Sequence, residues 1–178
     1  QIGLNADGRF VDHENWIIQA MFKLYPWEQM LRDDYAEPLP RAEMTVLEPA
    51  WKAILSNKGI LPLLWERHAG HPNLLEAYFE SDPQHETLGS SYVRKPLFSR
   101  EGANVALVDK GRKAKVLEGG YGDQPHIRQA LHAPPRFDAS YVIVGSWLVG
   151  DQPAGIGLRE DRGRITRNTS RFVPHYIV

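Results

Sequence analysis

From Ser90 onward the chain is cut into short runs rich in β-branched and aromatic residues, separated by Gly, Asp and Pro: "SYVRKPLF", "ANVALVD", "KAKVLEGG", "HIRQALH", "SYVIVGSWLVG", "AGIGLRED" and "ITRNTSRFV". Such runs are too short to hold a helical apolar stripe over several turns, but each fits the pleated, half-buried surface of a strand. Two connecting segments, "DKGRK" and "EDRGR", set a Gly among charges between runs, which is hairpin-turn chemistry. An antiparallel sheet is the expected frame of residues 90–178.

Residues 1–89 have a different texture and read as mainly helical. In "WIIQAMFKLYPWEQML" apolar residues recur every three or four positions until Pro26, whose ring disfavours continuing a helix through it. "TVLEPAWKAILSNKGILPLLWERH" offers Ala50, Trp51, Ile54 and Leu55 as one apolar face. Asn57 and Gly59 then act as stop signals and "ILPLLW" as a buried continuation, giving helix, break, short helix. The two halves together give an α+β expectation. No internal repeat or low-complexity linker divides them.

Composition narrows the function classes. At 178 residues the chain can bury a core of ordinary size, and a formal charge of −1 gives no general attraction to nucleic acid or to an anionic membrane. Any anion must be held by local clusters of Lys and Arg. The absence of Cys removes disulfides, thiolate nucleophiles and Cys-based zinc sites, and fits a reducing compartment; the cytoplasm is expected. No apolar run approaches the roughly 20 residues needed to span a bilayer, and no signal segment opens the chain. It begins at Gln1 rather than Met, so a processed or excised piece of a longer protein is expected.

One stretch raises a sharper question. "SSYVRKPLFSREGANVALVD", Ser90 to Asp109, places Arg94, Lys95, Arg100 and Glu101 beside two apolar runs that each look bound for a core. Pro96 forces Lys95 into extended backbone, which fixes the side of the strand its ammonium faces. "LFSREG" then supplies small residues and a Gly, a composition whose backbone amides can approach an anion closely. Neither a Walker pattern nor a full dinucleotide fingerprint is present, and a basic pair before a turn also serves as a solvated edge that blocks strand pairing. Further cations sit in comparable places: Lys58 in a polar break, Arg159 on a Gly-bearing strand, and Asn168 with Arg171 near the C-terminus. Converging, they would suit one polyphosphate.

The ordered motifs "FKLYPWE", "SNKGILPLLW", "YVRKPLFSREGANV", "HIRQALHAPPRFDASYVIVGSWLVGDQPAGIGLRED" and "NTSRFVPH" make most of this chain resemble the C-terminal part of the glutathionylspermidine synthase-like proteins, ligases of ATP-grasp fold. The resemblance implies an ATP-grasp-like antiparallel sheet, with residues 1–178 as the C-terminal portion of such a domain. It further implies ATP-dependent joining of a carboxylate to an amine through an acyl phosphate. Carried over by motif, Lys58 and Lys95 are the lysines on the nucleotide phosphates, and Ser99, Arg100, Glu101 and Gly102 form the loop that closes over them. Gln129 and the segment Ala130 to Pro134, with His132 inside it, lie beside the adenine. Arg159 stabilises the phosphoryl group in flight. Such a transition state needs positioning and cations rather than a protein nucleophile.

The same resemblance implies ATP with Mg, and a glutathione-like peptide and a polyamine as substrates, with no nucleic acid or membrane partner. The family's acidic metal motif, Arg-x-Asp followed by Glu-x-Asn-x-Asp, has no match here, so the metal ligands are expected outside this chain and isolated turnover is not expected. "LNADGRF" echoes the motif but reads as a turn. A non-catalytic nucleotide-binding or interaction module that kept the fold is the rival class. His68 and His71 have metal-compatible spacing, yet Gly70 and Pro72 make a surface turn the simpler reading. His126, His132 and His175 read as structural, and "NTS" at Asn168 is a formal sequon without a secretory context. The aromatic stretch before Pro26 reads as core, or as an interface in an excised piece.

Overall fold

The structure, a computed structural model, describes residues 2–113 and 116–176. The chain divides into two compact units, 1–57 and 58–178. Lys115, in the expected "KAKVLEGG" run, lies outside the described residues, as does Ala114.

The first unit is a mixture of short strands and turns, which corrects the expectation of a mainly helical N-terminal half. Strands β1 (Gly3–Leu4) and β2 (Phe10–Val11) pair antiparallel across the "NADG" turn. There the Asn5 side chain accepts from the Asp7 and Arg9 amides at 3.1 and 2.9 Å, so "LNADGRF" is a turn as expected. Strand β3 (Ala20–Phe22) runs through the stretch that reads as a helix and pairs parallel with β4 (Thr45–Leu47). That pairing is between segments distant in sequence, which local apolar spacing does not register. Pro26 caps the start of α1 (Trp27–Met30) instead of ending a helix. Its fixed φ suits a first turn, where a missing amide hydrogen costs nothing.

Phe10, Trp27 and Met30 form the core of this unit, with Ile18, Met21 and Tyr35 against them. Lys23 is buried and held by Glu48 at 2.7 Å, its ammonium 4.6 Å from the Trp27 ring centre. Helix α2 (Lys52–Ser56) follows, and Trp51 just before it and Ile54 and Leu55 on it are exposed rather than core.

The second unit opens with α3 (Ile60–Arg67), so helix, break and short helix are found where the stop signals put them. Its first sheet has five strands in the order β5 (Ala77–Phe79), β9 (His126–Ala130), β6 (Tyr92–Pro96), β7 (Ala106–Asp109), β8 (Arg112–Lys113), all antiparallel. "DKGRK" is the β7–β8 hairpin: Asp109 pairs with Arg112, and Lys110 and Gly111 both have positive φ, at 50° and 76°. That geometry belongs to the primed two-residue turn, whose twist matches the strands. Ile127, Ala77, Leu107 and Ala106 of this sheet are buried.

A second antiparallel sheet runs in sequence order, β10 (Arg136–Phe137), β11 (Ser140–Val149), β12 (Gln152–Asp161), β13 (Arg171–Val173). The "EDRGR" segment opens a longer loop, 162–170, before β13, instead of a tight hairpin. Strand "ITRNTSRFV" is correspondingly shorter than its apolar pattern, because the side chains of Arg167 and Ser170 fold back on Asp161. Residues 131–135 join the two sheets without regular structure.

Candidate functional site

Strand alternation explains the basic pair in "YVRKP". Successive side chains point to opposite faces, so Arg94 and Lys95 belong to two different environments. Because β6 is the middle strand of five, the pair is not a device for blocking an edge.

On one face the Lys95 ammonium donates to Gln129 Oε1 at 2.6 Å. Gln129 sits on the neighbouring strand β9 and is 7% exposed. Burial pushes the Lys95 pKa down from its ordinary value, because a desolvated ammonium has only a neutral amide beside it. A cation held this way gains from any anion that arrives. Lys95 and Gln129, separate in the sequence, are thus brought together.

On the other face Arg94 grips Glu80, Nε donating at 2.7 and 2.9 Å and Nη2 at 2.6 Å, while Arg128 Nε donates to the same carboxylate at 3.1 Å. The Arg94 hydrogen bonds chiefly, aided by those of Arg128 and opposed by burial, hold the Glu80 carboxyl down to about 2. Glu80 carries no motif in the sequence, and only strand pairing reveals it. A carboxylate so depressed stabilises the fold above the ordinary Glu range, and that stabilisation is lost as pH falls from about 4.5 toward about 2. Glu80→Gln is expected to cost about 2–3 kcal/mol at neutral pH and to flatten the acid limb, as read by urea unfolding against pH. Nearby His126 is buried on β9, where desolvation and then Arg94 lower its pKa, and its Nε2 has no hydrogen-bond partner among the described residues.

Lys58 reaches the loop after β6. Its backbone amide donates to the Leu97 carbonyl at 2.9 Å and its ammonium donates to the Ser99 carbonyl. Ser99 is 5% exposed, and its hydroxyl is buried with no hydrogen-bond partner among the described residues. Arg100 and Glu101 are exposed at the tip. Glu101, Gly102 and Asn104 have positive φ, at 53°, 77° and 54°, so the loop is a tightly wound turn.

Gly102 has a steric requirement besides its φ. A Cβ there would lie 2.7 Å from both the Ile165 side chain and the Thr166 carbonyl oxygen. The phosphate-loop candidate therefore packs directly on the 162–170 loop, and only Gly permits it. Gly102→Ala is expected to destabilise the chain by about 2 kcal/mol, measured by urea unfolding, and to push the two loops apart.

The two loops, with residues 117–121, border an open groove of about 450 Å³ lined by Arg100, Glu101, Leu117, Tyr121, Arg167 and Asn168, among others. Asn168, on the expected C-terminal motif, thus faces Arg100 and Glu101. Arg171 does not line it; it pairs with Glu160 on β12.

Arg159 lies on β12 with its guanidinium 5.0 Å from the Phe172 ring centre. Its Nη2 donates to the Arg167 carbonyl at 2.7 Å and more weakly to that of Ser170 at 3.4 Å, while Nε is buried without a partner among the described residues. The Ala130 amide donates to the Glu76 carbonyl at 2.8 Å. His132 there is exposed and Pro134 half-buried. His71 Nδ1 accepts from the Asn73 amide at 3.2 Å in the turn after α3. Among the described residues no group of three or more His, Cys, Asp and Glu could hold a metal ion, and no helix is long and apolar enough to cross a membrane.

Comparison with known proteins gives the family. A family model described as glutathionylspermidine synthase preATP-grasp matches residues 1–178, and the chain belongs to that family. It is 42% identical over 184 residues to a putative acid–amine ligase of Haemophilus influenzae, covering 99% of this chain and 47% of that protein. It is 31% identical over 191 residues to the trypanothione synthetase of Crithidia fasciculata, covering 94% of this chain and 29% of that protein. With the bifunctional glutathionylspermidine synthetase/amidase of Escherichia coli it shares 29% identity over 204 residues, covering all of this chain and 32% of that protein. The chain thus spans less than half the length of these relatives.

Proposed function

We propose that this chain supplies the nucleotide contacts of an ATP-dependent ligase that joins a carboxylate to an amine. The observation that carries this reading is the partly buried Lys95 ammonium beside Gln129, on a strand that leads into a Gly-wound loop tied to Lys58. In the reaction, a substrate carboxylate oxygen attacks the γ-phosphorus and the bond to the bridging oxygen breaks, releasing ADP. The amine nitrogen then attacks the acyl carbon, phosphate leaves and the nitrogen loses a proton. Lys58 and Lys95 hold the phosphates, Ser99 to Gly102 cover them, and Gln129 with the segment to Pro134 flanks the base. Arg159 meets the charge that grows on the phosphoryl oxygens.

The two antiparallel sheets of the second unit, joined by 131–135, are the parts of an ATP-grasp-like clamp, and a nucleotide would lie between loop and hinge segment. The relatives' names supply the substrate classes, a glutathione-like peptide and a polyamine. Magnesium, which such chemistry uses, finds no ligand set among the described residues, so no step is assigned to it here. The test is isotopic. In the full-length protein, ¹⁸O placed in the substrate carboxylate should appear in inorganic phosphate in step with amide formation. Amide formation without ¹⁸O transfer excludes the acyl phosphate, and ATP binding without amide formation favours a nucleotide-binding module.

A further inference from the structure

We propose that Asp161 is a positioning residue for Arg159, acting through the 162–170 loop; the proposal rests on the reading of Arg159 given above. Asp161 and Arg159 are two residues apart on β12 and so share a face. The Asp161 carboxylate collects four donors: Arg167 Nη2 at 2.7 Å and Nε at 3.2 Å, the Ser170 hydroxyl at 2.6 Å, and the Gly163 amide at 2.8 Å. Its side chain is only 8% exposed. Ser170 ties the loop to itself as well, its hydroxyl accepting from the Arg167 amide at 2.8 Å and its amide donating to the Arg167 carbonyl at 3.0 Å.

The same two residues that Asp161 fastens by their side chains present their backbone carbonyls to Arg159 Nη2. A carbonyl orients a guanidinium only as well as the loop that carries it is fixed. The fork of Arg167 on Asp161 supplies that fixing with a geometry that a single hydrogen bond does not match. With Nη2 taken by the two carbonyls and the guanidinium 5.0 Å from the Phe172 ring centre, Nε–H is buried and has no partner among the described residues, so the guanidinium is held without being spent. The hydrogen bonds of Arg167 first, then those of Ser170 and Gly163, hold the Asp161 carboxyl well below the ordinary range.

A latch that only stabilised the loop would leave Arg159 chemistry unchanged, and the test separates the two. The full-length protein carrying ¹⁵N-arginine is compared with Asp161→Asn and the milder Ser170→Ala, the Arg159 Nε–H resonance being assigned by its loss in Arg159→Ala. Asp161→Asn is expected to speed exchange of that hydrogen at least tenfold and to lower turnover at least tenfold, with KM for ATP changed less than threefold. Ser170→Ala is expected to move the Nε–H signal in the same direction by less. Unchanged Nε–H exchange with faster exchange of the 162–170 amides would overturn the proposal. If Asp161→Asn fails to fold, an unmoved signal in Ser170→Ala does the same. Absence of ATP-dependent ligation in the unaltered protein would refute the functional reading alone, because the Nε–H signature still decides whether Asp161 positions Arg159.

Discussion

Arg159→Ala, measured in the full-length protein, is expected to lower turnover by roughly 10²–10³-fold, the usual cost of losing one preorganised donor to developing charge. ATP affinity should change far less. The reason is geometric: Arg159 is fixed by carbonyls at 2.7 and 3.4 Å and by the Phe172 ring before any ligand arrives. Donors set in advance contribute most where charge grows during the reaction. Arg159→Lys keeps the charge but loses the planar guanidinium, whose Nη2 serves both carbonyls while Nε–H stays apart from them, so it should recover only a small part of the rate. Steady-state kinetics separate the possibilities. A fall in affinity with turnover preserved would make Arg159 a ground-state contact and remove its transition-state role.

The second large effect concerns Lys95. Lys95→Ala is expected to weaken nucleotide binding by about 1.5–3 kcal/mol, the worth of a hydrogen bond to a charged group. Lys95→Met should lose the same affinity while leaving the stability of the ligand-free chain unchanged or raised. Burial already disfavours the ammonium, and Gln129 is a neutral partner, so a thioether of similar length removes a desolvated charge and keeps the packing. Calorimetric titration with ATP and urea unfolding give the two numbers. Loss of stability without loss of binding would make Lys95 a packing residue, and unchanged affinity in both variants would take it out of the site.

Glu80 and Lys95 show why one face of β6 and not the other was legible. The "RKP" run and Pro96 fix Lys95 as extended, and the following "FSREG" marks a loop fit for anions. Those signals are local, carried by backbone restriction and Gly freedom. Glu80, which binds Arg94 and Arg128, is 14 residues from one and 48 from the other, and no spacing rule connects them. Asp161 is similarly silent, because its donors come from a loop that folds back. The helical reading of the stretch before Pro26 failed for the same reason: β3 exists because β4, more than 20 residues on, pairs with it.

What the sequence by itself determined is whatever one segment can specify alone. The strand-rich half, the β7–β8 hairpin at Lys110–Gly111, the "NADG" turn, the break between α2 and α3, and the motifs that mark the family all follow from local propensity, turn chemistry or ordered residue types. What only the tertiary structure decided is what two distant segments must share. Strand order placed Gln129 beside Lys95 and made β6 central, close packing of Gly102 on Ile165 joined two loops, and Asp161 collected the side chains of a loop that folds back on it. Pairing energies of that kind depend on which surfaces meet, and a single chain written in order does not state which surfaces those are.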